Sequence, residues 1–213
     1  MSRGRALSVL EPAVDAAGNR FRSVGKERWS ARVDVTRTGG GPASYQVLME
    51  WPGKLLIEGP GAAAVFAPGA AMRGNASEAG LDIAEILLED TLDGLLAASI
   101  QGASLRVVGT GYPDPSRPGH GATIVAVLMP SRVDAARGMA AKHYWFDTNT
   151  RLLARVVHPK AGRETRLSDW RDIDGDRFPA TITVLQDNTV KYTLTLTLTG
   201  VGPRLADGTF DPR

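Results

Sequence analysis

The chain has 213 residues, 43% hydrophobic and 23% charged, an ordinary globular composition with room for one sizeable core. A net charge of +2 with no Lys/Arg run gives no electrostatic footprint for nucleic acid. With no cysteine, this sequence has no disulfide, thiolate metal site, cysteine nucleophile or cysteine-linked lipid anchor, and no apolar run approaches the ~18 residues of a membrane span.

The start, Met1-Ser2-Arg3-Gly4-Arg5, is basic, but no uninterrupted apolar stretch follows before Glu11-Pro12. That fits either a cytosolic chain or one whose export leader has been removed. Apolar residues at 6, 7, 9, 10, 13 and 14 predict a short N-terminal helix over 5–17, kinked or interrupted by Pro12 and ended at Gly18. The period then changes to two. Trp29, Ala31, Val33 and Val35 alternate with polar residues, as in a strand with one wet face.

A Gly39–Pro42 turn leads to a strand at 45–50, and Trp51-Pro52-Gly53 turns the chain into another at 54–58. The Gly/Ala-rich stretch 59–74 should hold only short strands. From Glu78 to Ile100 the period is helical, with Asp82, Glu85, Glu89 and Asp93 as one wet stripe on an otherwise apolar helix that Gly94 weakens. Strands follow at 104–112, 121–129, 141–147, 151–158, 163–172, 177–187 and 190–200, separated by short turns that force antiparallel neighbours. The expectation is one domain over 1–213, mainly β (α+β), with about ten strands in a meander, an N-terminal helix and a helical insertion.

Motifs that would signal chemistry fail on their companions. Asp172-Ile173-Asp174-Gly175-Asp176 lacks the Gly and Glu that a calcium loop needs at 177 and 183, so a hairpin turn at Asp174-Gly175 is the reading. Gly59-Pro60-Gly61 is followed by breakers rather than a helix, which removes the dinucleotide reading. Ser23-Val24-Gly25-Lys26 has the Ser-x-x-Lys spacing of penicillin-recognising enzymes without their other motifs. His120, His143 and His158 share no ligand spacing. His120 is expected to be exposed in its loop, and His143 shares a strand face with Trp145. No catalytic residue, metal or cofactor is assigned.

What remains is apolar surplus. Tyr192, Leu194, Leu196 and Leu198 alternate with Thr193, Thr195, Thr197 and Thr199, so a broad apolar sheet face has only two helices to cover it. The sheet either folds on itself as a sandwich or closed barrel, or curves around the helices and leaves an apolar pocket.

Three segments carry a resemblance. Tyr144–Arg155 (YWFDTNTRLLAR) resembles the Asp-x-x-Thr-x-Leu-Leu-x-Arg hairpin of LolA/LolB-like outer-membrane lipoprotein-sorting domains. Ser168–Ile182 resembles their Asp-aromatic-Arg…Gly…Phe-Pro…Ile segment, and Phe210-Asp211-Pro212 is similar to their closing Phe-x-Pro. The resemblance implies a curved, incomplete antiparallel barrel plugged by helices, with a helical lid near 79–100. It also implies non-enzymatic binding or transport of a lipid or lipoprotein acyl chain in the bacterial periplasm. The partners implied are a lipid or acylated protein and an envelope protein, with a monomeric chain. Strand parity nominates the ligand-binding face as Trp29, Val33, Val35, Val47, Met49, Leu55, Ile57, Trp145, Leu194 and Leu196. The alternative is a periplasmic sensor or protein-interaction domain on the same fold, without lipid cargo.

Overall fold

A computed structural model describes residues 3–18, 20–22, 25–68, 70–131, 133, 138–203 and 210. Ser23 and Val24 of the Ser-x-x-Lys quartet, and Asp211 and Pro212 of the closing tripeptide, lie outside these residues. The element order is α1 (Arg3–Ala17), β1 (Arg28–Arg37), β2 (Ala43–Glu50), β3 (Lys54–Gly59), β4 (Ala62–Phe66) and β5 (Arg73–Asn75). Then come α2 (Glu78–Glu89), α3 (Leu92–Ile100), β6 (Ser104–Pro113), β7 (Gly121–Pro130), β8 (Met139–Asp147) and β9 (Leu153–His158). The chain ends on β10 (Arg163–Ile173), β11 (Asp176–Gln186) and β12 (Thr189–Gly202). The Gly/Ala-rich stretch supplies two short strands, β4 and β5, so the count among the described residues is twelve rather than about ten.

All twelve strands belong to one curved antiparallel sheet that does not close, in the order β5-β4-β3-β2-β1-β12-β11-β10-β9-β8-β7-β6. Two meanders therefore meet at the β1–β12 pair, where Val33 faces Leu196 and Val35 faces Leu194. Because β5 and β6 lie at opposite edges, the helices between them carry the chain across the sheet from one edge to the other. The turns follow their chemistry. Asp174 and Gly175 both take positive φ, at 54° and 79°, as a two-residue hairpin requires.

Two differences from the sequence reading concern the helices. Pro12 does not interrupt α1; it lies on the exposed side of a helix that buries Leu10, Ala13 and Ala17. The insertion is two helices, broken at Asp90-Thr91. Thr91 is the reason: its hydroxyl accepts from the Gly94 amide at 3.1 Å as the N-cap of α3 and donates to the Leu87 carbonyl at 2.8 Å. Gly94 does more than weaken the helix. A Cβ there would lie 2.3 Å from the Leu88 carbonyl oxygen, so only glycine lets α3 start this close to the end of α2.

Two apolar cores result. Under α2, Ile83, Ile86 and Leu87 pack on residues of β1–β4, β11 and β12. Under α1 and α3, Leu10, Leu92 and Leu95 pack on Leu105, Val125, Tyr144 and Val156.

Candidate apolar site and its buried ionic core

Nine of the ten residues nominated by parity come together. Trp29, Val33, Val35, Val47, Met49, Leu55, Ile57, Leu194 and Leu196 are all buried in the cluster covered by α2. Their register makes them direct cross-strand neighbours: Trp29 opposite Met49, Met49 opposite Leu55, and Val47 opposite Ile57. The space between them and α2 is filled. What remains beside Trp29, Leu87, Phe178 and Leu196 is a cavity of about 20 Å³, room for a single water molecule.

Trp145 is placed elsewhere. On β8 Lys142, Tyr144 and Phe146 alternate inward, with Asp147 also buried at the strand's end, so Trp145 and His143 point to the other face of the sheet, half-buried. There the Arg155 guanidinium lies 3.8 Å from the centre of the Trp145 ring. His120, expected to be exposed, is half-buried: its Nδ1 lies 2.8 Å from the Asp147 carboxylate, which Arg117 also pairs at 3.0 Å.

The acidic stripe of the helical insertion is not uniformly wet: Glu85 is buried and Glu89 is 1% exposed, Asp82 and Asp93 are half-buried, and the adjoining Asp90 is 0% exposed. At the α2–α3 break the Asp90 carboxylate accepts from Lys142 Nζ at 2.9 Å, Thr165 Oγ1 at 2.8 Å and Arg163 Nη2 at 3.1 Å. His158 Nε2 lies 2.9 Å from each of its oxygens. Lys142 also donates to Glu89 at 2.7 Å, Ser131 donates to Glu89 at 3.1 Å, and Arg163 pairs Glu85 at 2.9 Å. The Tyr144 hydroxyl donates to the Glu89 carbonyl.

Burial alone would push the Asp90 carboxyl up. The charges of Lys142, His158 and Arg163 outweigh it and hold that carboxyl well below the usual range. Burial likewise pushes the Lys142 ammonium down, and Asp90 and Glu89 more than reverse that. Nearby, Asp82 and Tyr192 are both pushed up, chiefly by burial. A cluster of charges this enclosed fixes where the helices cross the sheet. No group of His, Asp and Glu able to hold a metal occurs among the described residues.

A second buried polar point anchors the segment after α1. Arg20 Nη1 donates to the Ala17 and Arg177 carbonyls at 3.1 and 2.8 Å, and Arg20 Nη2 pairs Asp93 at 3.0 Å. Its guanidinium lies 4.3 Å from the ring centres of both Phe21 and Phe178. The wholly buried Asp176 accepts from the Arg20 amide at 2.8 Å and from Lys26 Nζ at 2.9 Å. The last acid of the Asp-rich run thus serves as a clasp.

The open space lies on the other side of the helices. A cleft of about 530 Å³ between α1, α3 and the turn after β2 is lined by Leu10, Val14, Phe21, Trp51, Leu96 and Ile100, with Glu11 and Arg22 among its exposed polar residues. Phe21 and Trp51 meet edge to face there, 5.5 Å between centres.

No family model matches the chain, and no curated protein matches it in sequence. Solved structures match it in fold. A LolA superfamily protein from Nitrosomonas europaea superposes over 97% of both chains with a TM-score of 0.59 at 14% identity. The chain shares the fold of that protein. A DUF1329 family protein from Desulfovibrio piger covers 97% of both chains with a TM-score of 0.57, also at 14% identity. At that identity the likeness is one of backbone, and it agrees with the LolA-like half-barrel implied by the hairpins at 144–155 and 168–182. No helix among the described residues is long and apolar enough to cross a membrane.

Proposed function

We propose that this chain acts as one domain that binds a lipid or a lipoprotein acyl chain without chemical turnover, between its curved sheet and its helices. The observation that carries this is a LolA-like sheet whose apolar face is covered by separate helices, with a cleft of about 530 Å³ of mixed polarity open beside them. The nine buried residues from Trp29 to Leu196 form the wall a chain would lie against once α2 moves off it. In this proposal the chain works as a monomer in the bacterial periplasm, handing an apolar cargo to an envelope partner.

Native mass spectrometry of protein purified without detergent tests the proposal, together with titration by a fluorescent fatty acid. Co-purified lipid or saturable binding at micromolar protein is the expected result. Absence of both would sink the proposal. A second reading, a sensor or protein-interaction domain without cargo, is favoured by one observation: α2 leaves only about 20 Å³ above the nine residues. It predicts a protein that captures no lipid.

A further inference from the structure

We infer that the open edge of β6 is a docking site for an extended segment of a partner protein, one with an acidic residue flanked at two positions on either side by apolar ones. This rests on the sheet edge alone and needs no lipid. The two ends of the sheet differ. β5 is three residues long, whereas β6 has ten and no strand beyond it among the described residues. Every second residue of such an edge turns its backbone N–H and C=O outward with no ladder partner, and another strand is the occupant that satisfies both in series. A lipid or a helix brings no matching row of groups.

Side chains select which strand. Along Ser104 to Val108, buried Leu105 and Val107 alternate with exposed Ser104, Arg106 and Val108. On the exposed face, one cross-strand row holds Ser104, Leu128 and Ala141, and the next holds Arg106, Ala126 and His143. Neither row contains a carboxylate, and Arg106 has no ion pair with any described residue. An added strand would lie about 4.8 Å from β6. Its acid meets Arg106, one apolar side chain leans over the short Ser104 onto Leu128, 45% exposed, and the other covers Val108, 42% exposed. A second copy of this chain fits worse. Antiparallel pairing of all of Ser104 to Val108 with itself sets Arg106 opposite its own mate, and like charges directly opposite repel. Past Val107 the register slips, so the regular edge is short.

The test is fluorescence anisotropy of the full chain with a fluorescein-labelled peptide, Thr-Leu-Thr-Glu-Thr-Leu-Thr. Saturable binding with a dissociation constant of about 1 mM or tighter is expected. Two further peptides, each methylated on one of the two alternating sets of backbone nitrogens, should separate: one set faces β6 and loses binding, the other faces away and keeps it. Arg106→Glu changes an exposed position and should leave folding intact. It should weaken the peptide about tenfold and transfer the preference to a copy with Lys at the centre. The assignment is overturned if no saturable binding occurs, if both methylated peptides behave alike, or if Arg106→Glu binds the Glu peptide normally. A dimer of the chain in sedimentation that the peptide dissociates gives the edge to a second copy and overturns it too. None of these results touches the lipid proposal, whose tests use other ligands.

Discussion

The two halves of the sheet carry the same kind of apolar face and close it differently. Over β1–β4, α2 inserts Ile83, Ile86 and Leu87 among aliphatic neighbours and leaves almost no space. Over β6–β10, α3 is pinned by charges at its start, α1 arrives from the chain's other end, and a cleft stays open between the two helices. Apolar packing sealed the first half. In the second, Leu10, Leu92 and Leu95 also pack on the sheet, and a cleft remains between α1 and α3.

The sharpest way to break this comparison is Lys142→Ala, which leaves Glu89 and Asp90 buried without their shared cation. Removing one partner of such a buried network costs about 3–5 kcal/mol, read from the shift in denaturant midpoint. A loss under about 1 kcal/mol, the size of a surface ion pair, would show that water reaches the cluster.

The same cluster sets a pH window. The Asp90 pKa is lowered on folding, so its contribution is present above the unfolded carboxylate value of about 3.9 and is lost as pH falls toward the folded value. The Lys142 pKa is raised on folding, so its contribution is complete below about 10.4 and is lost as pH rises through the folded value. Stability from this pair should therefore be flat between those limits, measured as urea midpoint against pH. An alkaline fall that persists unchanged in Lys142→Ala would refute the assignment.

On the sealed side, Leu194→Ala truncates a fully buried leucine opposite Val35 and Ile182 and should cost about 2–5 kcal/mol. Leu196→Ala borders the small cavity and should fall at the low end of that range, about 2 kcal/mol. Equal costs would mean that the cavity has no mechanical consequence. The smallest effect belongs to Thr195→Ala, exposed on the opposite face, with a change within about 0.5 kcal/mol by the same unfolding measurement.

Much of this fold was legible because its strands alternate. Val33, Val47, Ile57 and Leu194 could be assigned to one face from parity alone, and the register brings them together. Trp145 takes the other phase of its strand: Tyr144 and Phe146 are the pair that alternates inward, and Lys142 shares their phase. That phase was the available signal for a buried cation. The stripe Asp82, Glu85, Glu89, Asp93 obeys the amphipathic rule, yet Glu85 and Glu89 meet Arg163 and Lys142, and the adjoining Asp90 meets Lys142, His158 and Arg163. These residues stand 50 or more positions away along the chain from their partners, and no local pattern links them. The break at Asp90-Thr91 could have been read from Thr91 as a capping residue ahead of Asp93-Gly94. The clasp at Asp176 had no local signal, since Arg20 lies 156 residues before it.

The pairing of β1 with β12 bears on how the molecule comes to exist. Until Thr189–Gly202 has been made, β1 and β11 each present an edge with no neighbour, and the two meanders have nothing to join them. Nearly the whole chain must be in place before the central ladder can form, a contact of long sequence separation that is slow to find. The central ladder is thereby postponed until β12 has been made, and the unpaired edges of β1 and β11 are exposed to aggregation over the same interval. A fragment ending at Asn188 should accordingly lack the cooperative unfolding transition of the full chain, and a fragment that melts cooperatively would show that β12 is a late addition to a sheet already formed.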